Sequence, residues 1–103
     1  MPYALSKAAL AGATRSMALE LGARVRTIEI QPAAIATPML EAGFADDEKG
    51  RKALAAVHPT GAIGSPKDVA STVLLAMQHP ANFLNGSVIN LDGGLSFALK
   101  DPC

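Results

Sequence analysis

Tyr3 and Lys7 stand four residues apart at the head of the chain, in a stretch free of proline and glycine. On a helix that spacing puts both side chains on one face. A phenol is a poor proton donor or acceptor near neutrality, because its reference pKa is about 10. A neighbouring ammonium favours the phenolate and brings the group into a useful range. So paired, the two side chains could exchange a proton with a substrate hydroxyl or carbonyl as general acid and base. The same spacing also fits a surface tyrosine beside an unrelated lysine, so the surrounding elements have to decide. Other candidates are thinner. His58 and His79 each precede a proline, with no cysteine partner or metal-like spacing, and both are expected at the surface.

The elements that position the pair are legible. Tyr3 to Leu21 reads as a helix rich in Ala, Leu and Met, with Leu10, Ala13, Met17 and Leu21 on one stripe. Gly22 is placed to end it as the C′ residue. A second stripe of Ala8, Ala11, Gly12 and Ser16 would let another helix approach closely. Val25 to Ile30 is a β-branched run that reads as a strand stopping at Gln31-Pro32. Ala33 to Leu40 follows as an uncharged loop, held stiff and non-helical by Pro32 and Pro38. Glu41 to Gly64 is polar and broken by glycines, with a short helix over roughly Asp46 to Val57 whose mixed charges suit a solvated face. Ser65-Pro66-Lys67-Asp68 is a helix start, and the apolar spacing carries that helix to Gln78, with His79-Pro80 ending it. Asn85-Gly86 is a turn, Ser87 to Leu91 a strand, and Asp92-Gly93-Gly94 a second turn. Strand, helical crossover and strand make a βαβ unit, right-handed by strong precedent.

Composition narrows the classes. A chain of 103 residues, half of them apolar and 17% charged, is one small globular domain. Nine basic residues balance nine acidic ones, and with one Tyr, three Phe and no Trp there is no platform for nucleic acid. The single cysteine, Cys103, is a tail residue and cannot form an internal disulfide. The uncharged stretch from Val69 to Leu91 is broken by Gln78-His79-Pro80 and by Asn82 to Gly86, so no membrane span is expected. No secretory signal is visible, and a cytoplasmic location is expected.

Tyr3-Ala4-Leu5-Ser6-Lys7-Ala8-Ala9-Leu10 resembles the active-site helix of the short-chain dehydrogenase/reductase family. Arg24 to Ile30 is similar to the family's sixth strand, and Pro32-Ala33-Ala34-Ile35-Ala36-Thr37 to its Pro-Gly loop. Gly64 to Ala70 resembles the opening of the last long helix, and Phe83 to Gly94 the final strand and terminal turn. The resemblance implies the C-terminal part of a Rossmann-like, doubly wound parallel α/β sheet: a single partial domain over residues 1–103, with the first half missing. It also implies hydride transfer between NAD or NADP and a carbonyl or alcohol. Tyr3 would be the general acid/base and Lys7 would bond the nicotinamide ribose. Pro32, Ala33, Ile35 and Thr37 would line the cofactor, Ile35 through its backbone and Thr37 at the nicotinamide end. The segment from Glu41 to Gly64 would be the substrate lid.

The chain departs from that pattern at Ala33, where the family usually has Gly, at Ile28, commonly Asn, and at Ala62, frequently Arg. Its 103 residues also hold no Gly-rich phosphate loop ahead of the tyrosine, so the chain alone is expected to be inactive. The strand Val25 to Ile30 would lack a neighbour, which predicts marginal stability or a homo-oligomer, associating through the first helix. The competing expectation is a truncated, non-catalytic relative that serves only to associate.

Overall fold

The computed structural model describes residues 1–78 and 83–98. The element order is α1 (Pro2–Leu21), β1 (Glu29–Pro32), α2 (Pro38–Gly43), α3 (Glu48–Val57), α4 (Pro66–Ala76), β2 (Val88–Leu91) and α5 (Leu95–Ala98). β1 and β2 pair in parallel as a two-stranded sheet. The chain divides into two compact units, Met1–Ile30 with Leu74–Ile89, and Gln31–Val73 with Asn90–Cys103.

In the first unit, α1 forms where its alanines, leucines and the proline at its first turn favour a helix. Gly22 follows it with φ −55°, not in the left-handed conformation expected of a C′ glycine. Glycine is needed there for space: an added Cβ would lie 2.5 Å from the Ala18 carbonyl oxygen and 3.0 Å from Asn85 Nδ2. Asn85 is the knot of this unit. Its Oδ1 accepts from the Thr27 N–H at 2.9 Å, and its Nδ2 donates to the Ala18 carbonyl at 2.9 Å. Thr27 Oγ1 donates in turn to the Thr14 carbonyl at 3.0 Å.

The strand lies later than the β-branched run predicts, over Glu29–Pro32 and not Val25 to Ile30. Thr27 explains the shift, because its N–H goes to the Asn85 side chain and its carbonyl takes the Gly86 N–H, in a turn and not a ladder. Regular pairing begins with Glu29 N–H to the Ser87 carbonyl, and beyond the strand Ala33 N–H reaches the Leu91 carbonyl. Pro32 fits within the strand because proline is tolerated on an edge that needs no donor. Arg26, which interrupts the apolar run, donates to the Ala76 carbonyl at 2.6 Å and to that of Gln78 at 3.4 Å. A guanidinium there meets the unpaired carbonyls of a helix C-terminus.

In the second unit, Thr37 and Pro38 begin a helix that the two-proline reading treats as loop. Thr37 Oγ1 accepts from the Leu40 N–H at 3.2 Å, and Pro38 stands at the first helical position, so α2 carries a true N-cap. Asp47 caps α3 by accepting from the Gly50 N–H at 2.8 Å. Glu41 and Arg51 join α2 to α3 through two parallel bonds of 2.8 and 2.9 Å. Ser65 and Asp68 form the reciprocal capping box that starts α4. Ile35 and Gly64 bridge in parallel, with the Ala36 N–H on the Gly64 carbonyl and the Gly64 N–H on that of Ala34. The predicted turn after β2 is present, with Gly93 and Gly94 at positive φ, and it runs into the short helix α5. The expected helix end at His79-Pro80 and the tail cysteine Cys103 lie outside the described residues.

Candidate active site

Tyr3 and Lys7 lie in the first two turns of α1, in the first unit. Tyr3 is 75% exposed, and the Lys7 ammonium stands over its ring, 5.6 Å from the centroid. That is a cation–π distance, so the helix delivers the juxtaposition the spacing calls for. The lysine lies against the ring face, and no hydrogen bond joins it to the phenol among the described residues. Ser6 Oγ donates to the Tyr3 carbonyl at 2.8 Å, tying the first turn together.

Pro32, Ala33, Ile35 and Thr37 lie along one connection in the second unit, from the end of β1 to the start of α2. Two donors in this connection have no protein acceptor among the described residues. The Ile35 N–H makes no hydrogen bond to protein among the described residues, although its carbonyl takes the Thr37 N–H at 2.7 Å. The Thr37 hydroxyl accepts from Leu40 as an N-cap, which leaves its own proton to donate. A carboxamide, with its carbonyl acceptor, is the complement of two such donors.

One residue is placed otherwise than the sequence suggests. His58 is 2% exposed, buried and not at the surface. It follows α3 directly, and its Nδ1 lies 2.8 Å from the Leu54 carbonyl. A carbonyl only accepts, so Nδ1 carries the proton and closes the helix end. Nε2 is buried with no partner. No signal in the sequence marks this burial. His58 also lines a cavity of about 470 Å³ in the second unit, with Thr60, Asp68, Ser71, Thr72 and Asp92 among its walls. Asp92 is kept below the usual carboxylate range by the Ser96 hydroxyl and then by the Gly94 N–H. Among the described residues no three metal-binding side chains converge, and no helix is long and apolar enough to cross a membrane.

Comparison with known proteins supplies the family. The sequence profile of the enoyl-(acyl carrier protein) reductase family matches residues 1–96. The chain belongs to the short-chain dehydrogenase/reductase family. An uncharacterized oxidoreductase of Mycobacterium tuberculosis is 39% identical over 99 residues, covering 96% of this chain and 37% of that one. Aldohexose dehydrogenase of Thermoplasma acidophilum superposes with a TM-score of 0.84 at 34% identity, over 98% of this chain and 42% of its own. A Beutenbergia cavernae protein assigned as an NAD(P)-dependent gluconate 5-dehydrogenase, seen with NADP bound, superposes at 0.80 with 32% identity, over 91% of this chain and 38% of its own. The chain thus spans well under half the length of these relatives, and its sheet, helices and loop order are those of a Rossmann-like α/β fold.

Proposed function

We propose that this chain carries the proton-transfer and nicotinamide-facing part of an NAD(P)-dependent oxidoreductase acting on a carbonyl or alcohol. The observation that carries the reading is the Tyr3–Lys7 pair, one helical turn apart with the ammonium over the ring, in a chain of this family. Bound NAD(P) supplies a two-electron hydride acceptor or donor. In the reducing direction Tyr3 Oη gives its proton to the substrate oxygen as the carbonyl becomes an alcohol, and in the oxidising direction it takes that proton back. The Lys7 ammonium offers donors to ribose hydroxyls. The Ile35 N–H and the Thr37 hydroxyl hold the carboxamide and so fix which face of the ring meets substrate. Residues Glu41 to Gly64 serve as the lid, with α2 and α3 linked by Glu41 and Arg51.

The 103 residues by themselves turn nothing over, since no phosphate-binding glycine loop stands among them. The family's Tyr-Lys helix also serves association in this reading. Along α1, an added Cβ at Gly12 would meet nothing within 4 Å, and Leu5 and Leu19 are exposed. That open surface equally suits the second reading, a non-catalytic association module.

The deciding experiment joins the preceding part of a relative to this chain and compares it with its Tyr3→Phe variant. Turnover should fall at least about 100-fold while NADPH fluorescence titration stays unchanged. Unaltered turnover in the variant would leave only the association reading.

A further inference from the structure

His58 closes α3 with one edge of its ring and leaves the other edge idle. Nδ1 donates to the Leu54 carbonyl, so Nε2 carries a lone pair, and it is buried with no partner. A buried acceptor left unpaired is costly. The ring is 2% exposed and forms part of the wall of the cavity of about 470 Å³ in the second unit, to which Leu54 does not contribute. With Nδ1 turned to α3, Nε2 is the edge directed at the cavity.

The charged groups of the wall are acceptors as well. They are Asp68 and Asp92, and no lysine or arginine stands beside them in it. The capping box that starts α4 supplies the first, and the turn that ends β2 supplies the second. Asp68 accepts the Ser65 N–H at 2.7 Å with Oδ2, and its Oδ1 has no partner among the described residues. Asp92 accepts from Ser96 and Gly94. Neither carboxylate meets a cationic side chain among the described residues. Ala62, Ile63 and Leu91 make the wall apolar elsewhere. An anion has the wrong sign for such a wall, which rules out the phosphates of a dinucleotide. A bare metal ion finds too few ligands, because no three metal-binding side chains converge among the described residues.

We propose that this cavity binds a small organic cation, an ammonium or guanidinium group on a short alkyl chain. Its N–H donors meet Asp68 and His58 Nε2, Asp92 adds a second negative charge, and its chain lies against Ala62 and Ile63. The N-terminus of α4 opposes a cation with about half a charge, less than the two carboxylates supply. The volume falls in the range of small-molecule sites. Asp68 and Ala62 are exposed and Asp92 half-buried, so the charge stands at the opening and the imidazole at the floor. The site uses neither Tyr3 nor Lys7 and does not depend on the role given to them.

Nuclear magnetic resonance titration of the isotope-labelled chain with n-butylguanidinium chloride tests it. The His58 Nε2 resonance and the Asp68 carboxylate carbon should shift together and saturate, with a Kd on the order of 1 mM. Two probes of the same alkyl length serve as controls: n-butanol lacks the charge, and n-butyltrimethylammonium lacks the N–H donors. Both should bind at least about tenfold more weakly. Asp68→Asn, which keeps an acceptor for the Ser65 N–H, should weaken the guanidinium by about tenfold. Ala62→Arg, which tethers a guanidinium in the wall, should move the Nε2 resonance without any probe and block the probe. The proposal is overturned by a folded sample in which Nε2 does not respond, by control probes that bind as tightly, or by unchanged affinity in either variant. The same titration is run on the chain joined to the preceding part of Thermoplasma aldohexose dehydrogenase, which decides should the chain alone not fold.

Discussion

Asn85 holds the carbonyl of Ala18 at 2.9 Å across 67 positions of sequence, and with its other amide atom it holds the Thr27 N–H. One side chain thereby fixes the last turns of α1 to the segment entering β1 and to the turn entering β2. Replacing it with leucine leaves the half-buried Thr27 N–H without a partner. A loss of about 1–3 kcal/mol follows. It is read as a lower urea midpoint with an unchanged slope in the chain joined to the preceding part of a relative, where Asn85→Asp, which keeps an acceptor, should recover part of it.

Two glycines of the same region should respond in opposite directions. Gly22→Ala places a methyl group 2.5 Å from the Ala18 carbonyl oxygen, so the helix end must shift and stability falls. Gly12→Ala meets nothing within 4 Å inside a helix and should stabilise by up to about 1 kcal/mol. Thermal melts of the two variants give the comparison directly.

Thr37 has two tasks in one hydroxyl. As an acceptor it caps α2, and its free proton is the proposed donor to the carboxamide. Thr37→Ala should cost about 1 kcal/mol of stability and also weaken NADPH binding. Thr37→Ser should restore both. Asp or Asn would restore the cap while changing the donor, which separates the tasks in a paired melting and fluorescence experiment.

Acid should loosen the second unit at two places. Asp92, through the Ser96 hydroxyl, and Glu41, through its hydrogen bonds from Arg51, both have pKa values below the ordinary carboxylate range. Folded values depressed below unfolded ones mean that the stabilisation is fully present above the unfolded pKa of about 4. It is lost as the pH falls through the lower folded values. Denaturation midpoints measured between pH 6 and pH 2 should drop over that lower range, and Asp92→Asn should flatten the profile.

Helices α1, α3 and α4 were legible because their signals are local. Ser65, Pro66 and Asp68 start α4 within four residues, and the Tyr3–Lys7 spacing needs only a helical turn to become a contact. The start of β1 was not legible, since it depends on Asn85, 58 positions from Thr27, capturing a backbone donor that the β-branched pattern assigns to a ladder. α2 was missed for a different reason: two prolines read as stiffness, although one of them sits at the first helical position behind a threonine cap. The burial of His58 was also hidden, because a histidine before proline carries no mark of whether the helix behind it needs its last carbonyl closed. The Ile35 N–H, without a partner among the described residues, lies further still from the sequence, being an absence that only an accounting of their backbone partners reveals.

The bridge between Ile35 and Gly64 ties off the intervening stretch like the neck of a bag. With the neck fixed, residues can be added or removed inside it at small entropic expense, about 0.6 kcal/mol for each doubling in length. The pouch can thus be resized with the strand behind it and the helix beyond it left untouched.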